Sequence, residues 1–343
     1  MQRWYLVDFR FTETQQIFAG TVRELLNKEC TPARLREMVE NGDSTIPSLW
    51  SSLSEMGVIG MTGSEDLGGL GMSDIDLVLI MEEIGRVACP ETVIEHVCIG
   101  IPLLSQAKGK GLNPQLIKDF INGDSRLSSM LDTRYVLAAD SVDFLLVKHN
   151  HEIHLVSVEN TEIVRQDSVD ETRRLFSVEW TPSELTMVEI PEEVIAKAEM
   201  SATIATAAQC LGTAAYLLET TIEYVKEREQ FGKPVGVNQA IKHHLADTGK
   251  AIEFARPMVH RAAWTLSASS PEAEVAVSMA KYLASSAVNH ACRTALQCHG
   301  AIGYTIEYDL QIWLKRGWAL AASRGDATSH RAIVGANILA DGA

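Results

Sequence analysis

Between Ile204 and Val225, small or apolar side chains recur at helical spacing: Ile204, Ala207, Ala208, Leu211, Ala215, Leu218, Ile222 and Val225. A stripe sustained for about six turns cannot remain solvated and demands other helices alongside. The sequence supplies them. A second helix is expected over 239–266, with Pro257 bending it. A third starts after Pro271, with Glu272 and Glu274 in its first turn, and stops at Gly300-Ala-Ile-Gly303. A fourth covers 308–322. Long antiparallel helices with tight connections predict a C-terminal four-helix bundle over 191–343.

The rest of the chain has different periods. Residues 1–124 read as an N-terminal domain of short helices, with Phe18, Val22, Leu25 and Leu26, then Leu77, Ile80, Met81 and Ile84, at helical spacing. The glycine-rich run 63–71 reads as a flexible turn leading to Ser73, an N-cap followed by Asp74 and Asp76. Over 125–190 the period shortens to that of strands, at 144–147, 152–158 and 175–180, forming a reduced β domain with one small sheet. The fold class expected is mainly α with a small β domain between two helical parts.

His149, His151 and His154 suggest a metal site, but strand parity puts 149 and 151 on one face and 154 on the other, so a solvated hairpin turn is expected. The six cysteines show no CxxC pair and read as buried, reduced thiols. With 30 Lys and Arg against 45 Asp and Glu, the net charge of −15 argues against nucleic-acid binding. No apolar run approaches a membrane span and no secretory signal is visible at the start, so a cytoplasmic protein is expected.

Two stretches carry chemistry. Lys226-Glu-Arg228-Glu-Gln-Phe-Gly-Lys-Pro leads to Asn238-Gln239, and Gln297-Cys-His-Gly-Ala-Ile-Gly-Tyr304 leads to Tyr308. Each lies where one long helix ends in a glycine turn and another begins. Arg228 offers a planar fork for phosphate, and the helix starting at Gln239 presents free N–H groups to an anion. Either stretch alone reads better as a helix cap with a surface arginine; the pairing of the two in one bundle shifts the balance toward a flat or phosphorylated ligand.

Arg228-Glu-Gln-Phe-Gly-Lys-Pro followed by Gln239-Ala-Ile-Lys-His-His-Leu-Ala-Asp247 resembles the R-x-x-F-G…Q…L-A-D signature of acyl-CoA dehydrogenases. Gln297-Cys-His-Gly-Ala-Ile-Gly-Tyr is similar to that family's Q-x-x-G-G-x-G-Y stretch, and Asp66-Leu-Gly-Gly-Leu-Gly-Met-Ser73 to its GGLG loop. The resemblance implies non-covalent FAD, with Arg228, Gln230, Phe231, Gln239, Gln297, Gly300 and Ala301 as cofactor-contacting residues across a subunit boundary. It further implies a tetramer, an acyl-CoA substrate converted to 2-enoyl-CoA, and electron-transfer flavoprotein as acceptor.

The family's catalytic Glu is missing. Its usual position before the last helix falls on Arg324, and its alternative position falls on Ala202; Asp326 is the nearest carboxylate. The family's T-E-P-x-A-G-S-D and G-x-K-x-x-I-T stretches are also absent between 120 and 190, Ser128-Ser-Met-Leu-Asp-Thr-Arg134 being the nearest region. Three expectations follow. The chain is one subunit of a heteromeric dehydrogenase, of the kind that degrades sterol side chains, with the Glu on a paralogous partner. Or it is a self-sufficient homo-oligomer using Asp326 or another carboxylate. Or it is an inactive, flavin-binding scaffold.

Overall fold

The computed structural model describes residues 10–131 and 133–340. Helix α1 (Glu13–Glu29) opens on a capping box, Thr12 Oγ1 accepting from the Gln15 N–H and Gln15 Oε1 from the Thr12 N–H. Helices α2 (Pro32–Asn41) and α3 (Pro47–Glu55) each begin on proline, where the lost N–H would have no helical partner. Helix α4 (Asp74–Arg86) starts at Ser73, whose N–H donates to Asp76 Oδ2. A π-helical stretch, Ile94–Gly100, runs into α5 (Ile101–Leu104), and α6 (Pro114–Asn122) follows. The glycine run 63–71 is tightly folded: the Gly71 N–H bonds Gly63 O at 2.8 Å, and a Cβ on Gly69 would lie 2.2 Å from that same oxygen.

The strand segments form two sheets where one is expected. In the first, β1 (Leu127–Met130) runs parallel to β3 (Phe144–His149), which pairs with β4 (Glu152–Ser157), edged by β7 (Met187–Val188). In the second, β2 (Val136–Leu137) and β5 (Glu162–Gln166) flank β6 (Leu175–Glu179). Val136, Leu145, Val147, Val156 and Phe176 build a small separate core in this region. The histidine expectation is corrected here. Because β3 and β4 pair antiparallel with Val147 opposite His154 and His149 opposite Glu152, His149 and His154 share a face, their rings 6.4 Å apart beside Trp180. Among the described residues no group of side chains could hold a metal.

Helix α7 (Glu192–Glu227) realises the long stripe in 36 residues. A hairpin of β8 (Glu229–Gln230) and β9 (Lys233–Pro234) leads to α8 (Gln239–Ser267), which continues through Pro257. Then come α9 (Ala273–His299), α10 (Leu310–Ala322) and a further helix, α11 (Ala327–Ala340). Where α4 crosses α7 the backbones touch. A Cβ on Gly85 would sit 2.2 Å from Gln209 O, one on Gly212 1.9 Å from Glu82 O, and Thr213 Oγ1 donates to Gly85 O at 3.0 Å. All six cysteines are free and buried. Among the described residues, no helix is long and apolar enough to cross a membrane.

Candidate active site and the exposed turns

The two motif stretches meet at one end of the bundle. Arg228 ends α7, its N–H donating to Tyr224 O. The Tyr224 ring stacks on His299 at 4.2 Å, and its hydroxyl donates to His299 O, directly before Gly300. Arg228, Gln230, Phe231, Gln239, Gln297, Gly300 and Ala301 are all exposed here. Phe231 and Gly232 form the β8–β9 turn with φ of 54° and 75°, a two-residue turn that demands left-handed backbone at both positions. Phe231 is thus held in a conformation uncommon for a bulky residue and is 100% exposed.

Helix α8 has no side-chain cap and no acidic residue in its first turn. The Arg228 guanidinium has no partner among the described residues. The first-turn N–H groups and this fork are therefore free for an anionic ligand, which fits a pyrophosphate.

At the other end of α7 a cavity of about 570 Å³ opens between β1 with its following segment, the β5–β6 loop and the end of α10. Its walls carry Glu95 from the π-helical stretch, Glu199 from α7, Arg173 and Arg324. Arg324 donates to Glu95 Oε1 at 3.2 Å. The loop that presents Arg324 is firmly held. Arg324 has a φ of 52°, and its carbonyl accepts from His330 Nε2, whose Nδ1 faces the Ser278 hydroxyl at 3.2 Å. The buried Lys281 ammonium donates to Ser285 Oγ, Ala321 O and Gly325 O, closing the end of α10. Burial lowers the pKa of Lys281 from its ordinary value.

Ala202 is fully buried and is not among the cavity-lining residues. Asp326 is not among them either: its exposed carboxylate accepts from the Ser329 N–H and hydroxyl, capping α11, and these bonds hold its pKa below the usual carboxylate range. The structure thus gives Asp326 a capping task. Sequence reasoning missed Glu95, Glu199 and Arg173. Glu199 could have been found, since it lies one turn before Ala202 on the same helix.

The chain matches two family profiles: Acyl-CoA dehydrogenase, N-terminal domain, over residues 12–108, and Acyl-CoA dehydrogenase, C-terminal domain, over 193–339. It is 30% identical over 305 residues to acyl-CoA dehydrogenase IpdE2 of Mycobacterium tuberculosis, covering 89% of this chain and 91% of that one. The Mycolicibacterium smegmatis protein of the same name is 28% identical, with 92% and 95% covered. Among solved structures, the fold is similar to the ChsE4–ChsE5 complex of M. tuberculosis (TM-score 0.84, 20% identity, 97% and 99% covered). It is equally similar to butyryl-CoA dehydrogenase of Megasphaera elsdenii (TM-score 0.83, 21% identity, 97% and 100% covered). Matching profiles in both helical parts, and near-complete coverage of relatives at this identity, place the chain in the acyl-CoA dehydrogenase family.

Proposed function

We propose that this chain is one subunit of a heteromeric acyl-CoA dehydrogenase whose catalytic Glu is carried by a paralogous partner. The observation that carries this reading is the asymmetry of the chain's two ends. At the dinucleotide-facing end the motif residues stand exposed and the Arg228 guanidinium has no partner among the described residues; at the cavity end, Arg324 occupies the position of the base and is tied to Glu95. From Glu199 to Arg228 is 29 residues of helix, roughly 43 Å at 1.5 Å per residue, so the cavity and the turns of one chain serve different bound cofactors. That geometry asks for a second subunit at each. The neighbour structure titled as a complex of ChsE4 and ChsE5 supports an unequal pairing.

FAD is the cofactor, and when bound it takes the β-hydrogen of the acyl group as hydride. On this chain Arg228 and the first turn of α8 would bind its diphosphate, and Gln297, Gly300 and Ala301 would pack where no large side chain obstructs. Phe231 would cover the partner-facing side. The α-proton of a thioester is weakly acidic, so its removal requires a desolvated carboxylate aimed at it. A guanidinium at 324 supplies no such base.

The purified chain alone is expected to retain FAD weakly and to reduce no acyl-CoA-dependent dye, with turnover appearing on co-assembly with a paralogue that carries the Glu. Robust turnover by the chain alone overturns the reading. One observation favours a second reading, a self-sufficient enzyme: Glu199 lines the cavity and is a carboxylate of full length. In that case Glu199→Gln abolishes the turnover of the pure chain. In the assembled enzyme, Arg228→Ala is expected to weaken FAD retention by about 1.5–3 kcal/mol through lost charge-assisted hydrogen bonds. Flavin content after gel filtration checks this; unchanged content removes Arg228 from the site.

A further inference from the structure

Three guanidiniums, Arg173, Arg316 and Arg324, cluster at the cavity, and two of them hold a carboxylate at ion-pair distance. Arg316 is matched by Asp170 at 2.6 Å, with Cys89 O and Thr172 Oγ1 taking further donors. Arg324 is matched by Glu95. Arg173, which lines the cavity, donates from Nη1 to the neutral Ser323 hydroxyl at 3.1 Å, and neither carboxylate bonds it. Its remaining N–H donors have no acceptor among the described residues. Burial most of all, then Arg316 and Arg324, disfavour the charged form of Arg173, while Glu95 and Asp170 favour it without bonding it directly. The Arg173 guanidinium thus has nearby carboxylates but none in direct contact, and its open side is the cavity.

We propose that Arg173, seconded by Arg324, is an acceptor for a carboxylate carried by the ligand of this cavity, so that the cavity selects acyl groups with an acidic end over neutral ones of equal length. The planar fork suits two carboxylate oxygens, and the adjacent Arg324 has donors beyond the one spent on Glu95. The inference rests on the acyl-CoA reading for the handle that delivers the acid, but not on turnover or on which subunit holds the base.

The test is binding by calorimetry to the assembled, flavin-loaded protein, with glutaryl-CoA as the acidic probe and pentanoyl-CoA as the neutral one. The acidic probe is expected to bind about tenfold or more tightly. Arg173→Gln should bring the ratio of the two affinities to about one, and Arg173→Lys should retain part of the preference. Equal affinity for the two probes in the unaltered protein overturns the proposal, as does a preference that survives Arg173→Gln. Failure of both CoA esters to bind overturns it together with the acyl-CoA reading. Binding of both without discrimination leaves that reading standing and sinks the carboxylate acceptor alone.

Discussion

Asp170→Asn is expected to lower the stability of the chain by about 3–5 kcal/mol, the usual cost of removing one partner from a buried ion pair. Asp170 and Arg316 are each only 1% exposed. The guanidinium has further acceptors in Cys89 O and Thr172 Oγ1, but both are neutral. Asp170 Oδ1 meanwhile accepts from the Thr172 N–H and hydroxyl, so the carboxylate also shapes the β5–β6 loop. An asparagine preserves size while leaving Arg316 charged and uncompensated. The urea midpoint should fall accordingly, and because this loop lines the cavity, ligand binding should weaken with it. The paired replacement Asp170→Leu with Arg316→Met should recover much of the loss, since neither charge is then stranded. A midpoint that Asp170→Asn leaves in place would show the pair to be inert.

The second large effect depends on pH. Glu91 is buried; its Oε1 accepts from the Ile46 N–H at 2.7 Å, and Arg126 stands 3.7 Å from its other oxygen. Burial, only partly countered by these contacts, raises its pKa from 4.5 to about 7. A carboxyl whose folded value exceeds its unfolded value favours the fold when protonated. The contribution is therefore full below pH 4.5 and is lost as pH rises to about 7. At 1.36 kcal/mol per pH unit the loss is on the order of 3 kcal/mol. Glu91→Gln keeps the acceptor for Ile46 without the charge. It should stabilise the chain by that order at pH 8 and leave it unchanged near pH 4.

His96 and His260 act in the opposite sense. Burial lowers each from 6.5 to about 4, so their contribution is complete above pH 6.5 and disappears as pH falls to about 4. His96 is fixed as a neutral ring, Nε2 donating to Phe120 O and Nδ1 accepting from the Leu127 N–H. Two imidazoles outweigh one carboxyl, and the unaltered chain should lose stability below pH 6. The Glu91→Gln variant should lose more over that range, because the compensating gain has been removed.

The helices were the most legible part of the fold. The α7 stripe, the start of α9 just after Pro271 and the glycine stop at its end each express a local rule that tertiary contacts had no cause to override. The sheets were less legible because β2 and β7 are two residues long and β1 pairs in parallel with β3 across an intervening strand, which no local period announces. Within the cavity, Glu95 escaped because its stretch is π-helical, and a stretch with that winding does not show the 3.6-residue spacing by which faces are read. Asp326 attracted attention as a carboxylate close in sequence to the lost base. Its spacing to Ser329 instead forms a helix start, and the chain spends it there.

The contact of Gly85 and Gly212 has a consequence for any attempt to divide the molecule. With no side chains between them, α4 and α7 share a seam of main chain against main chain, which cannot slide or loosen by rotamer change. A fragment beginning near residue 191 would carry a groove on α7 shaped for a missing backbone, and a fragment ending near 124 would carry the matching bare ridge. The N-terminal helices and the bundle should accordingly melt together, as one cooperative unit joined by the absence of two methyl groups.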